Sequence, residues 1–426
     1  MKITGIILLS VSILLMILCI IKGYKLFNKI SAHILPVFIC AILFVILKIA
    51  PLESIKDTFL TNSSINPLKI VVLLLSLSFL SIYLDELGFF RYLASVALAR
   101  GNKNQFKLFI KLYILISILT IFTSNDIIIL TFTPFIIFFA KNSKISPLPY
   151  LIGEFIAANT WSMFLLIGNT TNIYLSTFAS ISFFEYVKVM AVPTICCGLV
   201  SLGMLLLIFK NELKKEITPN QEVVKLRHKY LLADGIGFLI VCIILLSISS
   251  YIHLEMSYIT LICMLLCLIS SLVMCLIKKA HYKYLYRALK RLPYEVVPFL
   301  LSMFILVLGL QNIGITDDII KVLSKFNSTF SYGISSTLLS NIMNNIPSSI
   351  LFASLSSNNL NAVYASIVGT NLGAFLTPLG AIAGILFTNL CENSDVHISF
   401  LKFSKYGIMI EIPSLLTTLL ILNLIL

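Results

Sequence analysis

Ten apolar runs, each near the ~20 residues that a bilayer crossing needs, alternate with short loops along this chain. They fall at about 3–21, 31–49, 69–88, 150–177, 187–209, 231–250, 257–277, 294–312, 362–388 and 406–425. Lipid offers no partner to a backbone amide, so only helices and closed barrels can cross it, and runs of this length are helices. Charged residues fill 12% of the 426 positions, against about 25% in a soluble protein. No polar stretch exceeds about 20 residues, which excludes a separate soluble domain. The pattern predicts an all-α polytopic membrane protein. The first run could be misread as a cleaved signal, but it has no basic n-region beyond Lys2 and no small-residue cleavage site. With Lys22, Lys25 and Lys29 just after it, we read it as a retained helix.

Two more apolar regions, about 106–140 and 331–357, carry polar residues near their middles. Each arm is only about 12–17 residues long, short for a full span and suited to a re-entrant hairpin. With ten crossings and two hairpins, 23 Lys and Arg residues fall on one face and 7 on the other, with Lys111 inside the first hairpin. Basic loops favour the cytoplasm, so the chain is expected in the cytoplasmic membrane with both termini outside. The net charge of +13 is thereby assigned to orientation in the bilayer, and nucleic acid is not an expected partner. Charge alone does not separate a hairpin from two full spans, because both return to the same side.

Each half holds five crossings and one hairpin. Five is odd, so the halves point in opposite directions. We expect a first transmembrane repeat at 1–209, a Lys-rich cytoplasmic linker at 210–230 containing Pro219, and a second, inverted repeat at 231–426. The first hairpin then opens from the cytoplasm and the second from outside, so their tips can meet near the midplane.

Polar islands occupy matching places in the halves. Ser124-Asn125-Asp126 and Asn344-Asn345-Ile346-Pro347 lie at the expected hairpin tips. Gly168-Asn169-Thr170-Thr171-Asn172 interrupts the fourth span, and Gly369-Thr370-Asn371-Leu372-Gly373 with Thr377-Pro378-Leu379-Gly380 interrupts the ninth. Loosened backbone at membrane depth is tolerated only against protein or a watery cavity. Such interruptions at corresponding places in two halves point to a transporter's binding site. The candidate solute and ion ligands are Ser124, Asn125, Asp126, Asn169, Thr170, Asn172, Asn344, Asn345, Thr370, Asn371 and Thr377. Asn and Thr supply donors and acceptors, and Pro347 removes a donor and disfavours helix at Ile346. The plain alternative for Gly369 and Gly373, spaced as GxxxG, is close helix packing.

An intramembrane carboxylate is costly and marks a functional site by default. Asp126 is therefore the first candidate for a coupling residue, binding H⁺ or Na⁺, with a simple helix N-cap as the alternative. Glu154, about one turn into the fourth span, is the second. Asp85-Glu86 and Glu411 lie nearer span ends and are expected to be solvated or paired with Lys or Arg. The nine cysteines sit mostly in apolar runs, without CxxC or zinc spacing, and read as packing residues. No metal site or cofactor is expected.

These residues resemble the arsenical-pump membrane protein family, the arsenite and antimonite exporters of the ion-transporter superfamily. The most specific stretch is Gly369-Thr370-Asn371-Leu372-Gly373-Ala374 with Thr377-Pro378-Leu379-Gly380-Ala381-Ile382-Ala383-Gly384. Asn125-Asp126 with Thr133-Pro134, Asn344-Asn345 with Pro347, and Phe403-Ser404-Lys405-Tyr406-Gly407 with Pro413 support it. The resemblance implies export of trivalent arsenite or antimonite, driven by the proton gradient or through a soluble ATPase partner, and a homodimer in the lipid bilayer. Arsenite at neutral pH is an uncharged trihydroxy species, which Asn, Thr and Ser can hydrogen-bond. No cysteine falls in the islands, so they do not offer thiolate ligation.

Two other transport readings stand beside export of this small inorganic solute. A Na⁺-coupled carrier of citrate or another di- or tricarboxylate shares the architecture, but Asp126 would repel an anionic solute unless neutralised. A Na⁺/H⁺ antiporter would also suit Asp126. An enzyme is not expected, because there is no His-Glu zinc motif and no Ser-His-Asp set. Without a GxxxxGK[ST] loop the chain is not itself an ATP-driven pump.

Overall fold

The structure is a computed structural model, and it describes residues 1–21, 25–26, 30–32, 34–61, 66–99, 104–215, 225–226, 228–249, 251–278, 282–356 and 359–426. Most of the expected linker, with Pro219, lies outside the described residues, as do Lys22, Lys29, Arg100, Lys103, Arg227 and Lys279 of the charge count.

The first half runs α1 (Lys2–Ile21), α2 (Ile34–Ile46), α3 (Leu52–Leu60), α4 (Pro67–Glu86), α5 (Phe89–Ala99), α6 (Gln105–Phe122), α7 (Asn125–Asn142), α8 (Leu148–Trp161), α9 (Thr170–Phe178) and α10 (Phe183–Ile208). A single-turn helix, α11 (Lys210–Leu213), follows. The second half runs α12 (Lys229–Ser247), α13 (Met256–Ile277), α14 (Lys283–Lys290), α15 (Val296–Asn312), α16 (Ile315–Leu323), α17 (Ser328–Met343), α18 (Asn345–Leu355), α19 (Leu360–Leu372), α20 (Ile382–Glu392) and α21 (Phe400–Ile425). The order of element types repeats on either side of α11. Among the described residues the only strands are the two-residue pair Lys25–Leu26 and Ile30–Ser31.

Local chemistry sets the ends of these helices. Asn66 caps α4 by accepting from the Leu68 amide at 2.9 Å, with Pro67 in the first turn, where its missing N–H costs nothing. Ser182 and Glu185 form a reciprocal capping box at the start of α10. α14 has its basic residues at the surface and buries Leu285 and Ala288.

The halves interlock. α2 packs on α15 while α13 packs on α4, so each half's second crossing rests on the other half's third. α7 packs on α20 and α18 on α9, and the two 26-residue helices α10 and α21 pack together. Ser201 and Ser414 meet at that last seam, hydroxyl to hydroxyl at 2.9 Å.

Among the described residues eight helices are long and apolar enough to cross a membrane, or nine if α15 and α16, bent by 79° at Gly314, count as one span. That tally differs from ten crossings for identifiable reasons. It includes α6 and α7, whose 18 residues each pass a length test. At eight it leaves out α2, with 13 residues, α15, with 17, and both interrupted spans, α8 with α9 and α19 with α20. Depth distinguishes hairpin arms from spans. The α6–α7 tip lines the same cavity as Thr170 and Ile382, the first residues after the two breaks, so the arms reach only to where the interrupted spans break. The chain is an all-α polytopic membrane protein with two re-entrant hairpins in inverted repeats, as expected.

Candidate functional site

At each island a polar side chain ends one helix and starts the next. Ser124 accepts from the Asp126 amide at 3.3 Å to open α7, and Asn344 accepts from the Ile346 amide at 3.4 Å to open α18. Asn169 accepts from the Thr171 amide at 3.2 Å to open α9. Thr377 accepts from the Leu379 amide at 3.3 Å to open a 3₁₀ turn over Pro378–Gly380. The backbone needs such caps because the first amides of a helix have no partner within it.

The starts of α7, α9, α18 and α20 line one cavity of about 110 Å³. Its polar lining from the first half is Ser78, Ser81, Thr123, Ser124, Asp126 and Thr170. The facing positions from the second half are Ile346 and Ile382. The Asp126 carboxylate is half-buried and accepts no hydrogen bond from a described residue, so it is open to a solute or an ion.

Arg291 also lines the cavity. Its Nη1 donates to Asp85 Oδ2 at 2.8 Å and Glu86 Oε1 at 2.6 Å, and Thr131 donates to the other Asp85 oxygen at 2.7 Å. Asp85 and Glu86 are thus paired, as the sequence led us to expect. The Arg291 charge is thus matched by two carboxylates, and Asp126 adds a further carboxyl to the wall, so the cavity carries no excess positive charge.

The other candidates do not line the cavity, and three of them, Asn169, Asn172 and Asn371, bond to one another. Asn371, fully buried, accepts from Asn169 Nδ2 at 2.8 Å and from the Ser162 hydroxyl at 3.0 Å, and donates to Asn172 Oδ1 at 2.7 Å. This cluster joins the two interrupted spans. Asn172 also donates to the Ser162 carbonyl at 2.7 Å, closing the loop between α8 and α9. Gly168 is required there, because a Cβ would fall on that same carbonyl oxygen. Asn125 donates to Asn159 Oδ1 at 3.0 Å, and Thr370 bonds back to Ser366 at 2.8 Å within its own helix. Asn344 donates to the Leu379 carbonyl at 3.2 Å, and Thr377 donates to Asn341 Oδ1 at 2.7 Å. Asn345 Oδ1 is buried without a partner.

Three positions in these clusters, Asn159, Ser162 and Asn341, were not singled out in the sequence. Asn159 and Asn341 lie in the last turns of α8 and α17, and Ser162 is the C-cap of α8. A lone Asn or Ser in an apolar run was the available signal. Gly369 and Gly373 were expected chiefly to loosen a cavity wall. A Cβ at Gly369 would strike the Gly333 carbonyl and Ser336 hydroxyl, and one at Gly373 would lie 2.8 Å from the Thr337 carbonyl, so both serve the close packing of α19 on α17. The break begins at Gly373 and runs through 3₁₀ turns at Gly373–Phe375 and Pro378–Gly380.

The remaining acids divide. Glu154, 1% exposed, accepts from Thr133 at 3.0 Å through one oxygen and leaves the other without a partner. Glu411 was expected to be solvated or paired, and it is neither. It is 1% exposed in the middle of α21, with both oxygens lacking a partner. Its sequence distance from the chain end misled, because α21 starts at Phe400 and places position 411 near the helix centre.

Interrupted helices and two hairpin tips around a small, partly polar cavity are the architecture of a membrane transporter. The chain belongs to the citrate-transporter family, whose model matches residues 3–369. It is 28% identical over 359 residues to an arsenical pump membrane protein of Escherichia coli, covering 80% of this chain and 82% of that one. A putative arsenical pump membrane protein of Bacillus subtilis is 25% identical over 384 residues, covering 82% and 85%. The resemblance to the arsenical-pump family is thereby borne out, and these relations point to a transporter and not an enzyme. Among solved structures, the fold is similar to that of the YdaH transporter of Alcanivorax borkumensis, described as having an unusual topology. The TM-score is 0.57 at 12% identity, over 88% of this chain and 89% of that one.

Proposed function

We propose that this protein is a secondary active exporter of arsenite or antimonite, coupled to the proton gradient through Asp126. The observation that carries the reading is the composition of the cavity. Ser124 and Thr170 can hydrogen-bond a small uncharged hydroxylated solute, and Asp126 stands beside them with a free carboxylate. A di- or tricarboxylate would meet Asp126 with no unpaired cation to offset it, since Arg291 is held by Asp85 and Glu86. The family's name favours citrate as the second reading, and the names of the relatives favour the first. Glu154 is the second coupling candidate, buried beside Thr133 of the hairpin arm. Na⁺ in place of H⁺ at Asp126 is an alternative coupling ion, and a homodimer and a soluble ATPase partner are further parts of the reading that rest on family resemblance.

Uptake into everted vesicles tests it, comparing arsenite, citrate and Na⁺ with and without an imposed proton gradient. Gradient-dependent arsenite accumulation that is lost in Asp126→Asn supports the reading. Citrate or Na⁺ movement without arsenite flux would keep the cavity and replace the solute.

A further inference from the structure

Two more cavities lie beyond the first, and shared walls connect all three. Leu74, Ile173 and Ile346 line both the site cavity and a narrow neck. Ile70 lines both the neck and a third cavity, at the start of α4. The line follows two helix faces. On α9, Thr170 lies at the site cavity and Thr177 at the far one, with Ile173 between them, a spacing that keeps all three on one side of a helix. On α4, Ser81, Leu77, Leu74 and Ile70 form the opposite wall, polar at the site cavity and apolar at the neck.

The far cavity is built for a polar occupant. Thr177 and Ser257 line it, 7% and 5% exposed, and their buried hydroxyls have no hydrogen-bond partner among the described residues. Lys69 and Glu255 sit in its wall as an ion pair, with Nζ 2.7 Å from Oε1 and 2.6 Å from Oε2. The Lys69 charge is thus already matched and offers nothing to an anion. What remains unmatched is a pair of hydroxyls, which suit an uncharged solute carrying several hydroxyl groups. The pair mirrors Arg291 with Asp85 and Glu86 at the other end of α4. Sixteen positions separate Lys69 from Asp85, about 24 Å at the helical rise.

We propose that the three cavities form one solute path along the seam between α4 and α9, and that the far cavity is a second solute station. Thr177 and Ser257 hold the solute there after it leaves Asp126 and Thr170, and the Lys69–Glu255 pair closes the station on the side away from Arg291. The solute class rests on the function proposed above, whereas the path does not depend on it.

Single cysteines at Ser81, Leu74, Thr177 and Ser257 test the path with a membrane-impermeant maleimide, in intact cells and in everted vesicles, against the parent chain. Thr177→Cys and Ser257→Cys should react from one side and Ser81→Cys from the other, with Leu74→Cys at least tenfold slower from both. Reaction of Thr177→Cys and Ser81→Cys from the same side, or no reaction at Thr177→Cys, overturns the path. In a parent that transports antimonite, Thr177→Val and Ser257→Ala should each raise the half-saturating antimonite concentration several-fold, and an unchanged value in both overturns the station. Absence of antimonite flux in the parent would overturn the solute assignment, and with it the station, while the labelling still decides the path. Reversing Lys69 alone to Glu should speed labelling of Leu74→Cys, and adding Glu255→Lys should restore the slow rate. Unchanged labelling in Lys69→Glu overturns the gate.

Discussion

The two hairpin tips occupy the same place in their repeats but present opposite chemistry to the cavity. Ser124 and Asn344 are the caps, Asn125 and Asn345 come next, and the third positions are Asp126 and Ile346. Both third residues line the cavity, one as an acid and one as a hydrocarbon. The interrupted spans repeat the contrast, with Thr170 opening α9 and Ile382 opening α20. In the second half the polar groups turn inward and clamp the breaks, through Asn371, Asn344 with Leu379, and Thr377 with Asn341. The duplicated architecture has therefore divided its work. The first half supplies most of the polar lining of the site, and the second supplies Arg291 and an otherwise apolar wall.

The strongest challenge to that division is Asp126→Asn. The change keeps size and leaves the cap through Ser124 intact. Gradient-driven flux should fall by about 100-fold or more, the scale of losing a proton-transfer group, while expression and melting temperature stay at parent values. Full flux in this variant would place coupling elsewhere, with Glu154 the next to examine.

Second in size is Asn371→Ala, which tests the clamp. The variant leaves Asn169, Asn172 and Ser162 buried without the partners they now have. An orphaned buried polar group costs about 1–3 kcal/mol, so a melting-temperature loss of several degrees in detergent is expected. A parent-like melting temperature together with altered solute affinity would return Asn371 to the list of direct ligands.

How much of this was legible in the sequence follows from what each signal measures. Periodicity and length located six long helices directly, because α1, α4, α10, α12, α13 and α21 each cross in one unbroken piece. The paired islands located all four breaks, because caps and chain breakers act locally. Which way each side chain points was not legible. Asp126 and Asn371 stand in equally polar islands, but one faces space and the other faces Asn172, and that depends on how the halves dock. Nor could Glu411 be read, since burial in the α10–α21 seam is a property of packing between segments over 200 residues apart.

A third test sharpens the contrast between walls. Ile382→Thr places a hydroxyl opposite Thr170 without filling the cavity. If the apolar wall only excludes water, solute affinity should change less than about threefold, because one exposed polar group contributes little. If the wall sets selectivity against larger polar solutes, citrate should gain measurable competition with arsenite. Competition assays in vesicles distinguish these.

The cleanest comparison comes from the second residues of the tips. Asn125 donates to Asn159, whose own amide nitrogen is committed to the Phe155 carbonyl at 2.9 Å. Truncating Asn125 to Ala strands Asn159 Oδ1 in a fully buried place, at a cost of about 1–3 kcal/mol. Asn345 Oδ1 already lacks a partner, so Asn345→Ala removes a buried acceptor that gains nothing in the resting protein. Its melting temperature should match the parent or rise slightly, while that of Asn125→Ala falls. Such a result would mean that Asn345 is kept for a partner it meets only during transport, and flux in Asn345→Ala should then drop although the fold is intact. Equal destabilisation of the two variants would instead make both asparagines structural, and the contrast between the tips would rest on Asp126 and Ile346 alone.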